Sequence, residues 1–440
     1  MATTYLNHTQ SSATSDKKGT FSAWVKVNDA ANLAVFSGHT DSSNRVALYF
    51  SETLRIYGAI GGSQSLYFIT NRVFRDVSAW YHIVIAWDTT QGTEANRFKI
   101  YVNGVQETSF ATAVYPPQDA DVYWNKGTTS LVGARFVSAI QNYFDGQMSH
   151  VAFVDGTQLT PSTFGETDST SGIWKWKSIT GVTWGNNGFN LKFENSGNLG
   201  LDSSGNSNTF TVNGNATKNI DNPSNNHCTW NPLASKAIGT VSWTLKDANT
   251  NFDPTSNTNQ FTTGTICPEK GKWYWEMKSV QGSATDWPDI GIMFTKNIST
   301  HMAATGNPQH NFSYTTSLQS NGTRWVMGTQ SVGWVSGYAN GDIIRIAVDV
   351  DAGKLWWGKN NAWLESANPA SGVNAHAAWT AGTSITPWVE QYNAGEIQAN
   401  FGNGYFGTTA ITSAGSNGNG SLFEYDVPSG YYALNTKNIN

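Results

Sequence analysis

Charge is scarce in this chain of 440 residues. Lys, Arg, Asp and Glu make up 13% of it, about half the share usual in soluble proteins. The formal net charge is −5, so no basic excess marks a nucleic-acid groove, and no nucleic-acid partner is expected. Cysteine is scarcer: Cys228 and Cys267 are the two. Two thiols do not make a disulfide framework, and both are expected to be free. The eight His are scattered, without CxxC or HExxH spacing to gather a metal. No apolar run approaches the roughly 18 residues that cross a bilayer, so no membrane insertion is expected. The opening MATTYLNHTQSS lacks the basic-then-apolar order of a secretory signal. No coiled coil or long amphipathic helical stripe is present.

Catalytic sets are missing too. Polysaccharide hydrolysis needs a positioned carboxylate pair. Glu424-Tyr425-Asp426 has a suggestive spacing but runs into Val427-Pro428 without a further Glu. Asp349/Asp351 and Asp119/Asp121 are explained by a sheet edge or a turn. No GxSxG elbow occurs, and GTICPEKGKW lacks both the leading Gly and the Ser/Thr after Lys272 that a phosphate loop requires. The chain is therefore expected not to be an enzyme.

What the chain has is aromatics, at 13% with 19 Trp, and 43 Gly. Its dominant period is two, the period of strands. In FSAWVKV, Phe21, Ala23, Val25 and Val27 alternate with Ser22, Trp24 and Lys26. HIVIAWD and FKIYVNG repeat the pattern, and Asn103-Gly104 supplies a two-residue hairpin turn. Many short strands with Gly, Asn and Ser turns predict an all-β fold of two antiparallel β-sandwiches. Four parts are expected: a sandwich over 1–165, a connector over 166–235 rich in Asn, Gly and Ser, a second sandwich over 236–408, and a C-terminal arm over 409–440. The connector carries Trp174, Trp176, Phe189 and Phe193, which need cover.

The stretch DVDAGKLWWGKNNAW, residues 349–363, hints at a calcium loop. Gly353 stands at the third ligand position, however, and Lys354 where the loop glycine belongs. A strand, a tight turn at Gly353 and a returning strand account for it. One of Trp356 and Trp357 must point inward, because strand neighbours face opposite sides.

GKWYWEMKSV (271–280), DIGIMF (289–294), residues 332–363 and ITPWVEQYNAGEIQANFG (385–402) together resemble a SPRY domain. GTFSAWVKV, WYHIVIAWDTT, NRFKIYVNGV and FDGQMSHVAFVDGTQLTPSTFGE resemble the laminin-G-like, concanavalin A-like lectin folds. GIWKWKSITGVTWGNNGFNLKFENSGNLGLDSSGNSNTFTVNG, DNPSNNHCTWNPL and VPSGYYALNTKNI resemble segments of bacteriophage tail-fibre and other virion structural proteins. That resemblance implies a virion component, assembled in the host cytoplasm alongside other virion proteins. It implies attachment to a host cell-surface glycan or protein receptor, and an oligomer, with a trimer on family grounds. A purely architectural capsid or tail component and a polysaccharide depolymerase are the rival readings.

Sugar binding calls for aromatic faces beside hydrogen-bonding side chains. In the second sandwich the candidates are Trp287, Trp334, Tyr338, Trp357, Asn360, Asn361 and Trp363. In the first they are Asp41, Arg45, Arg55, Asn142 and Tyr143 along a rim. No cofactor is expected. Laminin-G-like folds sometimes hold calcium at loop carboxylates, but no dense carboxylate cluster appears here.

Overall fold

The structure is a computed structural model that describes residues 3–28, 32–126, 128–237, 243–254, 259–281, 287–303, 312–392 and 395–439. It is all-β, built of antiparallel sheets in two compact units, Met1–Lys218 and Asn219–Asn440.

In chain order the strands of the first unit are β1 (Tyr5–Thr9), β2 (Lys18–Val27), β3 (Leu33–Asp41), β4 (Asn44–Ser51), β5 (Thr53–Ile60) and β6 (Ser63–Val73). There follow β7 (Tyr81–Asp88), β8 (Phe98–Val102), β9 (Val105–Gln106), β10 (Phe110–Val114), β11 (Thr129–Val132), β12 (Arg135–Phe136) and β13 (Ile140–Gln141). The last are β14 (Gly146–Asp155), β15 (Gly165–Thr167), β16 (Trp174–Trp176), β17 (Phe189–Leu191) and β18 (Thr211–Asn213). One sheet has eight strands in the order β10-β6-β5-β4-β3-β11-β1-β18. The other has six, β17-β14-β2-β7-β8-β9.

The alternation read in FSAWVKV places Phe21, Ala23, Val25 and Val27 in the core, as expected. Phe21 stacks on Phe36 with centroids 4.4 Å apart, a contact worth about 1 kcal/mol beyond the area it buries. Asn103 and Gly104 take φ of 48° and 79°, the conformation their hairpin turn demands.

The other face of the six-stranded sheet is also covered, and this changes the domain boundaries. Val84, Ala152, Val154 and Phe164 pack there with Leu159, Ile179, Val182 and Trp184. Trp174 Nε1 donates to Nδ1 of the buried His82 at 2.9 Å. Further on, β17 pairs with β14 and β18 with β1. The expected connector is thus divided at Lys218. Its first part is cover and strand for this unit, because its aromatics bury their area here.

The second unit stacks a seven-stranded sheet on a nine-stranded one. Ile290, Ile292, Leu318 and Val389 meet Trp275, Met277, Ile346 and Trp357 in its core. The stretch 349–363 is a hairpin: Ile343–Asp349 pairs with Lys354–Lys359. Gly353 turns it at φ 61°, and a Cβ there would lie 2.3 Å from the carbonyl oxygen of Trp379. Asp349 accepts the amide of Ala352 and Asp351 that of Gly271, so both acids tie turns together. Trp356 and Trp357 are both buried, on opposite faces of their strand. The expected terminal arm is part of this unit. Tyr432–Ala433 adds a parallel pairing to Lys272–Gln281. The carboxylate of Glu276 accepts the amides of Glu424 and Tyr425 at 2.8 and 2.9 Å.

Both cysteines are free. Burial pushes the Cys228 thiol up to about 12.

Candidate functional site

The strands β4, β5 and β6 send Val46, Leu48, Phe50, Leu54, Ile56, Leu66 and Phe68 into the core. Alternation therefore leaves Arg45, Ala47, Tyr49, Arg55, Tyr57, Ala59, Tyr67 and Ile69 on the opposite face. Register sets Ala47 opposite Tyr57 and Tyr49 opposite Arg55. It sets Tyr57 and Arg55 in turn opposite Tyr67 and Ile69. Ala34 and Ala47 pack beside Tyr49 and Tyr57. Their short side chains leave a low floor between tyrosine rings.

Tyr57 and Tyr67 meet edge to face, centroids 6.0 Å apart. The guanidinium of Arg45 sits 5.4 Å from the Tyr57 centroid. That of Arg135 sits 4.3 Å from the Tyr49 centroid. Such stacking holds a guanidinium flat while its N–H edge stays available. Arg135 comes from the β12–β13 hairpin, which lies over the same face. Phe136 of that hairpin stacks on His39 at 4.1 Å. Beside Arg45 a shallow depression is lined by Ala59, Ser65, Asp121 and Tyr123.

Five residues expected along a rim have distinct roles here. Arg45 and Arg55 share the face. Nη1 of Arg45 donates to the Val137 carbonyl at 3.4 Å, and Nε of Arg55 to Thr53 Oγ1 at 3.3 Å. Asn142 positions: its Oδ1 accepts from Arg135 Nε at 2.9 Å, and its carbonyl from the Ala34 amide at 3.0 Å. Tyr143 closes the same loop, donating to the Ile140 carbonyl at 3.2 Å. Asp41 is exposed and folded onto its own turn, accepting from the Ser43 amide and Asn44 Nδ2. The Asn44 side chain, then the Ser43 amide, hold its carboxyl below the usual range. Asp41, at the end of β3, is the one carboxylate that the eight strands contain.

The second unit's candidates do not form one surface. Trp357 is fully buried and donates to the Ile290 carbonyl. Tyr338 is 5% exposed, its hydroxyl donating to the Pro288 carbonyl at 2.6 Å. Both expectations of ligand contact are corrected: these rings fill the core and satisfy backbone carbonyls. Trp334 is half-buried between Arg324, 4.5 Å away, and His376. Trp363 is half-buried under Arg345 at 4.3 Å. Asn360 fastens its hairpin, accepting from the Ile343 amide and donating to Asp342. Asn361 is exposed, as is Trp287 at 49%.

Tyr49, Tyr57, Tyr67 and Arg135 were missed in the sequence. The signal was present: RVALY, RIYGA and SLYFI alternate core residues with Arg, Tyr or Ala. Among the described residues no group of three or more His, Cys, Asp and Glu is placed to hold a metal ion. Among the same residues no helix is long and apolar enough to cross a membrane.

The concanavalin A-like lectin/glucanases superfamily model matches residues 1–163. No curated protein matches the chain. Among solved structures, the SPRY domain of human HERC1 is similar at 12% identity and a TM-score of 0.31, covering 39% of this chain and 96% of that one. The heptameric SAP-like pentraxin of Limulus polyphemus is similar at 18% identity and 0.31, covering 48% and 87%. Domain 4 of AbnA, an extracellular arabinanase of Geobacillus stearothermophilus solved with arabinotriose, is similar at 18% identity and 0.26, covering 34% and 65%.

Proposed function

We propose that this chain is a non-enzymatic glycan-binding protein and that its first unit, a lectin/glucanase-like β-sandwich, does the binding. One observation carries the reading. The outer face of the eight-stranded sheet presents tyrosines and half-buried arginines on a low floor, and Asp41 is the one carboxylate within its strands. A glycosidase needs two opposed carboxyl groups about 5–10 Å apart, and this face does not supply them. In the second unit Asp289 and Glu390 stand opposite each other in register, but both are buried. Glu424 and Asp426 each tie down a turn, accepting from Thr412 and Ser416.

The finer reading is a bacteriophage virion component, a tail fibre or capsid decoration that meets the host surface. Its support is the likeness of residues 172–214, 221–233 and 427–439 to virion proteins. Several copies on a particle would raise avidity by roughly 100-fold or more over a single weak site.

A glycan array probed with the purified chain tests the binding. Retention is expected without release of reducing ends, and Tyr67→Ala should weaken it roughly fivefold. Release of reducing ends would overturn the non-enzymatic reading. Antibody labelling of intact particles tests the virion reading, which fails if no particle carries the protein.

A further inference from the structure

The same face also points to the class of glycan, an inference that rests on the binding proposed above. A neutral sugar is gripped by laying its apolar side on an open aromatic ring. Two of the three tyrosine rings here already carry a guanidinium: Arg45 at Tyr57 and Arg135 at Tyr49. Tyr49 is only 7% exposed. What the face offers outward is guanidinium edges more than ring faces.

These cations lack compensation. Arg45, Arg55 and Arg135 are half-buried and make no ion pair among the described residues. The other arginine in the eight-stranded sheet, Arg72, is paired with Glu107 at 2.6 Å. Asp121, which lines the depression beside Arg45, is paired with Lys126. Asp41 is closed on its own turn. The cluster stands out because the chain as a whole is acidic. Leaving like charges together costs stability unless an anion joins them.

The spacing suits an extended anion. Arg55 faces Tyr49, and Arg45 faces Ala59 four residues further along β5. At about 3.3 Å per residue the two lie on the order of 13 Å apart along the strand. Arg135 reaches over Tyr49 from the β12–β13 hairpin. Guanidinium groups bind carboxylate and sulfate oxygens in pairs, with a geometry that ammonium groups do not share.

We infer that this face takes an anionic oligosaccharide, one bearing uronic carboxylates or sulfate esters, with Arg45, Arg55 and Arg135 as its anion-binding groups. The test uses four probes on the full chain: polygalacturonate, its fully methyl-esterified form, dextran sulfate and dextran. Binding by calorimetry is expected for one or both charged polymers, and roughly tenfold or more weaker for the neutral partner of each. Which charged polymer binds decides between carboxylate and sulfate. Arg55→Gln, and Arg45→Gln with Arg55→Gln, should each weaken it and flatten its salt dependence, with no loss of thermal stability. Lys175→Gln, at an ion pair outside this face, should leave it unchanged. Equal loss with Lys175→Gln would overturn the inference, since bulk charge would then explain binding. Equal binding of charged and neutral polymers would also overturn it, while sparing the glycan-binding reading. Absence of binding both here and on the array would overturn both.

Discussion

At the scale of single residues, two buried glutamates set the second unit's response to pH. Glu276 is pushed up to about 7, chiefly by burial, with the amides of Glu424 and Tyr425 pulling the other way. Its folded form therefore binds a proton more tightly than its unfolded form, whose ordinary value is 4.5. The stability it contributes is full below pH 4.5 and is lost as pH rises through about 7. Thermal unfolding from pH 5 to 8 should show a decline that Glu276→Gln removes. Glu276→Ala should do more, because two amides lose their acceptor. A loss of about 3 kcal/mol in denaturant unfolding is expected, with faster proteolysis near residue 424. Glu390 is buried, with Asp289 and the side chain of Asn259 beside it. Burial, then the charge of Asp289, hold it well above the usual carboxyl range. Its ionisation costs stability at alkaline pH, so Glu390→Gln should raise the unfolding temperature there more than at pH 5. Neither glutamate could be singled out in the sequence. A carboxylate on a strand reads as surface until its cover is known, and the cover of Glu276 arrives 148 residues later.

At the scale of elements, the alternation in FSAWVKV and the hairpin turns at Gly104 and Gly353 could be read directly. Both depend on neighbours in the chain. Gly353→Ala should destabilise by about 2 kcal/mol, since φ of 61° and the Trp379 carbonyl at 2.3 Å both oppose a side chain. Unfolding in denaturant measures it. The face proposed for binding was half visible. Arg45 and Arg55 were named, but the tyrosines between them depend on cross-strand register, which no single strand encodes. Asn142 was named for contact and turns out to hold Arg135 instead. Asn142→Ala should thus weaken binding of an anionic glycan a few-fold and leave the neutral polymers unaffected, as calorimetry can show. Trp357 and Tyr338 sat in stretches rich in Gly, where a turn and a core strand look alike until both sheets are present.

At the scale of the whole molecule, an all-β chain with two sandwiches was evident from period and composition. The boundary was not, because a segment rich in Asn, Gly and Ser can equally be linker or cover. Here Phe189 and Phe210 lie in the first core and Cys228 and Trp230 in the second. Fragments 1–218 and 219–440 should each fold alone, with cooperative thermal unfolding followed by circular dichroism. Fragments cut at 165 or 408 should aggregate or stay unfolded, since each exposes buried aromatics. The latch on Glu276 also bears on how the second unit is made. Its two amides are contributed by residues 424 and 425, so this long loop cannot close while they are still unsynthesised. A ribosome that stalls before them releases a chain whose interior acid is left to water, the kind of product that cellular proteolysis removes first.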